Sequence, residues 1–355
     1  MSENKYDLQN LLKKLTEDNG ASGYEGSIAK IIADAFAPYI DDQRTDNLGN
    51  LIFLKKGKGA GGPKVLLCAH MDEIGLMITK IEDNGFMRFT SLGGFDPRTL
   101  PGQEVVIRGR EPLEGIIGIK PPHLFENDEK GKGAEMEDLF IDTGLSETTV
   151  RREIKVGTVA VIKRTMLTLL NDCFTGKALD DRAGVAVLWI CARELANLKH
   201  QADIYLVATI QEEVGTRGAL VSAFGVSPDI GIAVDVCHGD FPGAHEYEVS
   251  PLGKGPVITW GPNIHPQLAE RLTETAKENH LPHQKDVSPG PTGTDARAIQ
   301  ISLGGIPAGL LSIPLRYMHT SVELVNLEDI KVAGKLLAFF LANLQGDFVE
   351  GLSCI

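Results

Sequence analysis

The chain contains 355 residues, more than one small domain usually holds, which predicts either one large domain or two domains. Its 35 Lys and Arg residues and 48 Asp and Glu residues give a formal net charge of −13, and 43% of the residues are hydrophobic. This is the composition of an ordinary globular protein, so it excludes the disordered, collagen-like and membrane-spanning classes. Phosphate backbones and anionic lipids repel an acidic chain, so we expect neither nucleic acid nor a membrane as partner.

The cysteines and the N-terminal sequence predict a cytoplasmic location. None of the five cysteines belongs to a Cys-x-x-Cys pair, and their spacing does not suggest a disulfide framework, so we expect reduced thiols. The sequence MSENKYDLQNLLKKL is polar and lacks the apolar stretch of a signal peptide. The cysteines are Cys68, Cys173, Cys191, Cys237 and Cys354.

The first elements are predicted to be two amphipathic helices followed by a buried strand. Apolar residues recur at helical spacing over 8–15, and a similar pattern covers about 27–36. After a glycine-rich turn at 57–62, the apolar run 65–69 has the length and flanks of a buried strand. This strand leads directly into His70 and Asp72.

The next ninety residues are predicted to form a small β-domain. The runs 105–107, 116–119 and 156–162 are typical of strands and are separated by Gly and Pro, with no convincing helical period between them. The charged segment 126–138 predicts a solvated loop. We therefore expect an inserted β-rich domain at 74–164, within a larger domain made of 1–73 and 165–355.

The larger domain is predicted to be an α/β fold, with a mixed sheet flanked by helices. Apolar runs alternate with helical stretches after residue 165, a pattern typical of such sheets. The apolar runs cover 204–210, 230–236 and 308–313, and the helical stretches lie around 183–196, 266–278 and 327–344.

Acidic and imidazole side chains follow these apolar runs, where the carboxyl ends of the strands should lie. Functional groups gather at that edge of an α/β sheet. His70 and Asp72 follow 65–69, Glu212 and Glu213 follow 204–210, Asp235 ends 230–236, His319 comes shortly after 308–313, and Asp180 and Asp181 precede a helical stretch.

Histidine, aspartate and glutamate in this mixture are ligands for zinc, cobalt or manganese, and the lack of cysteine at the same strand ends argues against a thiolate zinc site. Each feature also has a simpler interpretation. Glu212 and Glu213 could form a solvated turn, and Asp180 with Asp181 could be a helix N-cap. Asp235 is harder to explain, because an unpaired carboxylate in an apolar strand is costly. Together the features favour a metal site, and two ions would need a bridging carboxylate.

Five ordered motifs resemble those of the TET-type (tetrahedral) di-metal aminopeptidases, a family that includes glutamyl and deblocking aminopeptidases and endoglucanase M-like proteins. The resemblance covers essentially the whole chain. The motifs are His70-Met71-Asp72-Glu73-Ile74-Gly75, Ala178-Leu179-Asp180-Asp181-Arg182-Ala183-Gly184, Gln211-Glu212-Glu213-Val214-Gly215, Ala233-Val234-Asp235 and Met318-His319-Thr320.

The resemblance implies a role for each site residue. His70 and Asp235 would hold one divalent ion, Glu213 and His319 would hold the other, and Asp180 would bridge them. Glu212 would be the general acid/base, and Asp72 would orient His70. The resemblance also implies a cis peptide bond between Asp180 and Asp181.

The resemblance further implies a metal-dependent aminopeptidase that uses two Zn, Co or Mn ions to release N-terminal residues from peptides. The implied fold is zinc-aminopeptidase-like, of the phosphorylase/hydrolase type, with the insertion as a PDZ-like β-barrel for dimerisation. Homodimers of relatives assemble into tetrahedral dodecamers, so a homo-oligomer is expected.

Two other functions are considered. An endoglucanase-type glycoside hydrolase needs two carboxyl groups that face each other across a sugar. Its mechanism does not require two histidines at strand ends. The chain also has only two tryptophans, Trp189 and Trp260, as sugar platforms. A non-catalytic metal-binding scaffold would not need Glu212 and all five ligand positions together.

Overall fold

The computed structural model describes residues 7–58, 61–124 and 133–352. Within these ranges the chain forms an 11-stranded mixed sheet flanked by helices, and a closed six-stranded barrel. Strands and helices are numbered along the chain. The sheet contains β1 (Asp42–Thr45), β2 (Leu51–Lys55), β3 (Lys64–His70), β10 (Leu167–Thr168), β11 (Cys173–Gly176), β12 (Asp203–Thr209), β13 (Ile230–His238), β14 (Val257–Trp260), β15 (Gln284–Val287), β16 (Ala308–Arg316) and β17 (Glu323–Asn326).

Four parallel strands form the centre of the sheet, in the order β12, β3, β13 and β16. The register places Thr209 beside His70 and Asp235 beside Ser312. β3 and β13 are buried along nearly their whole length, as expected for central parallel strands covered by helices. Because parallel strands end on the same side, the carboxyl ends of all four meet at one edge of the sheet.

The helices around the sheet bury its apolar surface. Helix α4 is buried at nearly every position because it contacts β3, β13, α1 and α8. Helices α5 and α7 contact each other, and they reach β12 and β13 respectively. The helices are α1 (Leu8–Glu17), α2 (Gly26–Phe36), α3 (Glu147–Glu153), α4 (Leu179–Leu195), α5 (Arg217–Val226), α6 (Pro266–Glu278), α7 (Asp295–Gln300), α8 (Leu327–Ala342) and α9 (Gly346–Glu350).

The six-stranded barrel has its own hydrophobic core, separate from the core of the large sheet. Buried residues such as Ile78, Val105, Ile117 and Ile141 fill it. The strand order is β4, β5, β8, β7, β6, β9, and β9 pairs with β4 to close the barrel. Its strands are β4 (Gly75–Ile81), β5 (Met87–Leu92), β6 (Glu104–Arg108), β7 (Pro112–Ile119), β8 (Leu139–Asp142) and β9 (Val159–Ile162).

The predicted mixed sheet flanked by helices is confirmed, and so are the two N-terminal helices. The prediction that no helix interrupts the β-rich region was wrong, because α3 lies there. Its seven residues bury a single apolar side chain, Val150, so they carry no helical period. The helix is instead started by Ser146, whose hydroxyl accepts a hydrogen bond from the backbone N–H of Thr149.

Parts of four predictions fall on residues that lie outside the described ranges. These are residues 1–6 of the N-terminal sequence, residues 59–60 of the glycine-rich turn, residues 126–132 of the predicted charged loop, and Cys354. The described end of that loop contains a short 3-10 helix, Met136–Asp138. No helix in the described part of the chain is both long and apolar enough to cross a membrane.

Candidate metal centre

The predicted site residues lie together at the carboxyl edge of the parallel strands. His70 is the last residue of β3, and Asp235 lies within β13. Glu212 and Glu213 follow β12, and His319 follows β16. The remaining two are Asp180, in the first turn of α4, and Asp72, two residues after β3.

The carboxylate of Asp180 lies between the two histidine rings. Its Oδ1 is 3.0 Å from Nε2 of His70, and its Oδ2 is 3.3 Å from Nε2 of His319. The same His319 nitrogen is 3.3 Å from Oε1 of Glu213. Each oxygen of Asp180 therefore faces a different imidazole, the arrangement that a bridging carboxylate needs.

Two groups of side chains bring three ligand atoms within 4.8 Å of one another. One group is His70, Asp180 and Glu213, and the other is His70, Asp181 and Asp235. Sequence reasoning did not select Asp181 as a candidate ligand. Its oxygens already accept backbone N–H groups, from His70 at 3.2 Å and Gly184 at 3.0 Å.

Asp72 connects the His70 strand to the loop that carries the two glutamates. Its carboxylate accepts hydrogen bonds from the backbone N–H groups of Glu212 at 3.0 Å and Glu213 at 3.3 Å, and from the Ser22 hydroxyl at 2.5 Å. The His70 Nδ1 atom is 3.1 Å from the backbone oxygen of Asp72 and 3.6 Å from its Oδ1. Asp72 thus holds both the His70 ring and the glutamate loop.

The backbone is irregular where the site residues leave the regular elements. Ala178, Gln211, Tyr317 and His319 all have positive φ values between 54° and 60°, which is uncommon for residues other than glycine. The Asp180–Asp181 peptide bond is cis, as the family resemblance implied. Irregular turns therefore present Asp180, the two glutamates and His319, whereas His70 and Asp235 belong to strands.

The carboxyl groups of the site are buried beside one another, and within the described ranges their ion-pair partners are the two histidines rather than Lys or Arg. Burial raises the pKa of Glu212 to about 10, and the charge of Asp235 adds to this effect. Burial also raises the pKa of Asp235 well above its usual range. The pKa of Asp180 is lowered, because its contacts with His319 and His70 outweigh the effect of burial. Hydrogen bonds to Asp180 and Glu213 raise the pKa of His319 to about 11.

This donor set fits divalent cations. Carboxylates and imidazoles are the usual ligands of zinc, cobalt and manganese. In the described part of the chain the nearby cationic side chains Lys177 and Arg182 form ion pairs with Glu73 and with none of the predicted ligands. Positive ions are therefore the natural partners for the negative charge collected here.

A cavity of about 1040 Å³ opens onto the site. Six of the seven predicted site residues line it, the exception being Asp72. Leu220, Val221 and Ile301 provide an apolar wall from α5 and the end of α7. The space is large enough for several residues of a peptide, with the site residues at one part of its wall.

A sequence profile of the family described as M42 glutamyl aminopeptidase matches residues 49–336. This range contains all seven predicted site residues. The chain belongs to the M42 glutamyl aminopeptidase family. Membership of M42 confirms the predicted family and makes the chain a member of an aminopeptidase, and therefore hydrolase, family.

Relatives of this M42 member match nearly its whole length. The lysyl aminopeptidase of Pyrococcus furiosus is 38% identical over 340 residues, 94% of this chain and 97% of the relative. Aminopeptidase APDkam598 from Desulfurococcus kamchatkensis superposes with a TM-score of 0.91 at 39% identity, covering 98% of each chain. The TET1 peptidase of Pyrococcus horikoshii, described as able to assemble into a tetrahedron or a large octahedral shell, gives a TM-score of 0.84 at 33% identity over 95% of this chain and 100% of that chain.

A buried ion-pair cluster lies beside the candidate metal centre of this M42 chain. Glu73 is 3% exposed, and its carboxylate pairs with Lys177 Nζ at 2.7 Å and with Arg182 Nη2 at 3.1 Å. Lys177 and Arg182 also donate to the backbone oxygen of Asp18. The cluster thus ties the end of α1 to the strand-to-helix turn that carries Asp180. Arg182 is therefore a buried salt-bridge partner of Glu73.

We expect Glu73→Gln to lower the free energy of unfolding by about 3–5 kcal/mol, because it leaves two buried cations without their carboxylate. Urea denaturation in excess EDTA measures this separately from cation binding. Glu82→Gln is the control, because it removes a carboxylate that pairs with Arg88 in the barrel at a more exposed position. Its denaturation midpoint should stay unchanged, and an equal loss in both variants would contradict the role of the buried cluster.

Sequence reasoning missed three buried carboxylates near the centre. Asp181 was treated only as a neighbour of Asp180, and Asp295 was not selected as a candidate. Glu323, 2% exposed in β17, was not considered at all. For Glu323 the available signal was an acidic residue directly before the apolar pair Leu324 and Val325, whereas Asp235 was selected at the end of an apolar run.

Proposed function

We propose that this chain is a metal-dependent aminopeptidase that releases N-terminal residues from peptides. The observation that carries the proposal is the Asp180 carboxylate, whose two oxygens face His70 and His319 separately. In this proposal Asp180 bridges two divalent cations. His70 and Asp235 complete one cation site, and Glu213 and His319 complete the other.

The two neighbouring glutamates have different surroundings, which supports different roles. The Glu213 carboxylate contacts His319 at 3.3 Å, as expected for a shared ligand position. In the described part of the chain the Glu212 carboxylate has no hydrogen bond or ion pair, although it lines the cavity. Glu212 is therefore free to exchange a proton with the reacting groups.

The reaction proposed is attack of water on the first peptide carbonyl. When bound, two divalent cations would polarise that carbonyl and acidify the attacking water. With cations bound, the pKa of Glu212 would fall from the value that burial and the neighbouring carboxylates give it, which favours its ionised form. The Glu212 carboxylate can then take a proton from the water and return it to the nitrogen of the departing amine. Asp72 holds the backbone of Glu212 in place for both transfers. The acidic cavity favours a free α-ammonium group, which restricts cleavage to the N-terminal residue.

The domain and assembly proposals rest on the barrel and on the relatives. Residues 1–73 and 165–355 form the catalytic domain, and 74–164 form a PDZ-like dimerisation domain. The separate core of the barrel supports this division. Homodimers joined in this way would build a tetrahedral dodecamer, which the assembly described for Pyrococcus horikoshii TET1 supports.

The cellular setting is proposed to be the cytoplasm, and the substrates are peptides. The four described cysteines, Cys68, Cys173, Cys191 and Cys237, are all free, which suits a reducing compartment. The cations are Zn, Co or Mn, because ligand type alone does not select among them.

Chelation tests the proposed function. We expect treatment with EDTA to abolish p-nitroaniline release from leucine and lysine p-nitroanilides, and added Zn, Co or Mn to restore it. The N-acetylated substrates serve as the control and should resist cleavage throughout. Hydrolysis of carboxymethylcellulose that survives chelation would identify a glycoside hydrolase. Bound cations without turnover of any peptide would identify a non-catalytic scaffold.

A further inference from the structure

Glu323 contacts the two turns that carry Asp180 and His319. Its Oε2 accepts a hydrogen bond from the Asp180 backbone N–H at 3.1 Å, and its Oε1 accepts one from the His319 backbone N–H at 2.9 Å. The side chain is 2% exposed. The two oxygens of one buried carboxylate therefore accept hydrogen bonds from the backbones of two proposed ligands that lie 139 residues apart in the sequence.

The sheet explains how one residue reaches both turns. β17 pairs with β11 so that Glu323 lies opposite Gly176, shortly before the chain turns into Asp180. β17 also pairs with β16 at Leu324 and Arg316, where the chain leaves the sheet toward His319. Glu323 thus lies next to the ends of β11 and β16, the two strands that precede the turns with Asp180 and His319.

Neither Asp180 nor His319 has regular helical backbone dihedral angles. Asp180 has non-helical φ and ψ values of −79° and 108°, and His319 has a φ of 60°. Backbone N–H groups in such segments need a partner from elsewhere when they are buried. The Glu323 carboxylate supplies that partner to both turns at once, and so fixes one turn relative to the other.

We propose that Glu323 is a positioning residue that sets the separation between Asp180 and His319, and with it the geometry of the cation pair. This role rests on the proposed function. Glu323 neither touches substrate nor serves as a ligand, because both of its oxygens face backbone N–H groups. Residues that form hydrogen bonds to metal ligands and so orient them affect cation affinity as well as turnover.

The test replaces Glu323 by Gln, which keeps the size of the side chain but can accept through only one atom, leaving one N–H facing an amide NH₂. Asp329→Asn is the matched control. Asp329 is 1% exposed and also accepts two backbone N–H groups, from Gly253 and Gly255, each at 2.7 Å. Neither of these glycines belongs to a turn that carries a proposed ligand.

Three quantities are measured on the full chain: Zn and Co affinity by competition with a chelating dye, kcat and KM on an aminoacyl p-nitroanilide, and urea denaturation in EDTA. We expect Glu323→Gln to weaken cation affinity by about 10- to 100-fold and to lower kcat more than it raises KM. Asp329→Asn should keep the wild-type cation affinity. Glu323→Asp keeps two acceptor oxygens, so it should recover part of the affinity lost in Glu323→Gln.

The outcomes separate this proposal from the proposed function. Wild-type cation affinity and kcat in Glu323→Gln would overturn the positioning role alone, and so would an equal loss of affinity in Asp329→Asn. If Glu323→Gln does not fold, the cation affinity of Glu323→Asp is the deciding measurement. The aspartate side chain is shorter and should hold the two turns less well, so wild-type cation affinity in this variant would also overturn the positioning role. A wild-type chain that binds no cations, or that stays active in EDTA, would overturn the proposed function and this inference together.

Discussion

Glu212→Gln is expected to reduce peptide hydrolysis by roughly 10²- to 10⁴-fold, the usual contribution of a positioned general acid/base. Glutamine has the same size as glutamate but cannot accept a proton from water near neutral pH. The Glu212 carboxylate makes no hydrogen bond or ion pair among the described residues, so the substitution breaks no contact that holds a neighbour. The two proposed cations should therefore remain bound.

The measurement combines kcat on aminoacyl p-nitroanilides with the metal content per chain after gel filtration. Glu246→Gln is the control, because Glu246 is an exposed glutamate in a short 3-10 helix, Glu246–Glu248, and does not line the cavity. Turnover close to wild type in Glu212→Gln, with both cations present, would assign proton transfer to another group. Loss of a cation in this variant would instead make Glu212 a ligand.

The central sheet and the grouping of most candidate site residues were predictable because their signals are local. A buried parallel strand is a short apolar run, and the residue after it lies at the carboxyl edge whatever the rest of the fold does. His70 and Glu213 each follow such a run, and Asp235 ends one. Their convergence at one edge followed from the fold class and did not require knowledge of any particular contact.

The contacts that support the site were not predictable, because they depend on pairing between distant segments. Glu323 reaches Asp180 only because β17 lies beside β11, and no local pattern specifies that neighbour. The side chains of Asp180 and Asp181 face different groups, a difference set by the irregular turn before α4. The family motif identified this pair, whereas the division of roles within it depends on tertiary geometry.

We expect Asp180→Asn to remove the bridge and reduce the bound metal from two ions per chain to one or none. Only a carboxylate offers two equivalent anionic oxygens, here at 3.0 Å from His70 and 3.3 Å from His319. An asparagine would turn an NH₂ group toward one of the two cation sites and carry no charge. Because bound cations stabilise the folded chain by mass action, added Zn or Co should raise the Tm of the variant less than that of wild type.

Metal content after gel filtration and the Tm with and without Zn or Co measure this effect. Asp286→Asn is the matched control, since Asp286 lines the same cavity and its carboxylate forms no hydrogen bond or ion pair within the described ranges. Its metal content should equal that of wild type. Two ions bound to Asp180→Asn with wild-type affinity would contradict the bridge and would favour His70, Asp181 and Asp235 as an independent cation site. Asp181 already accepts hydrogen bonds from two backbone N–H groups, one of them from His70. This geometry suits a residue that holds the His70 backbone better than it suits a cation ligand.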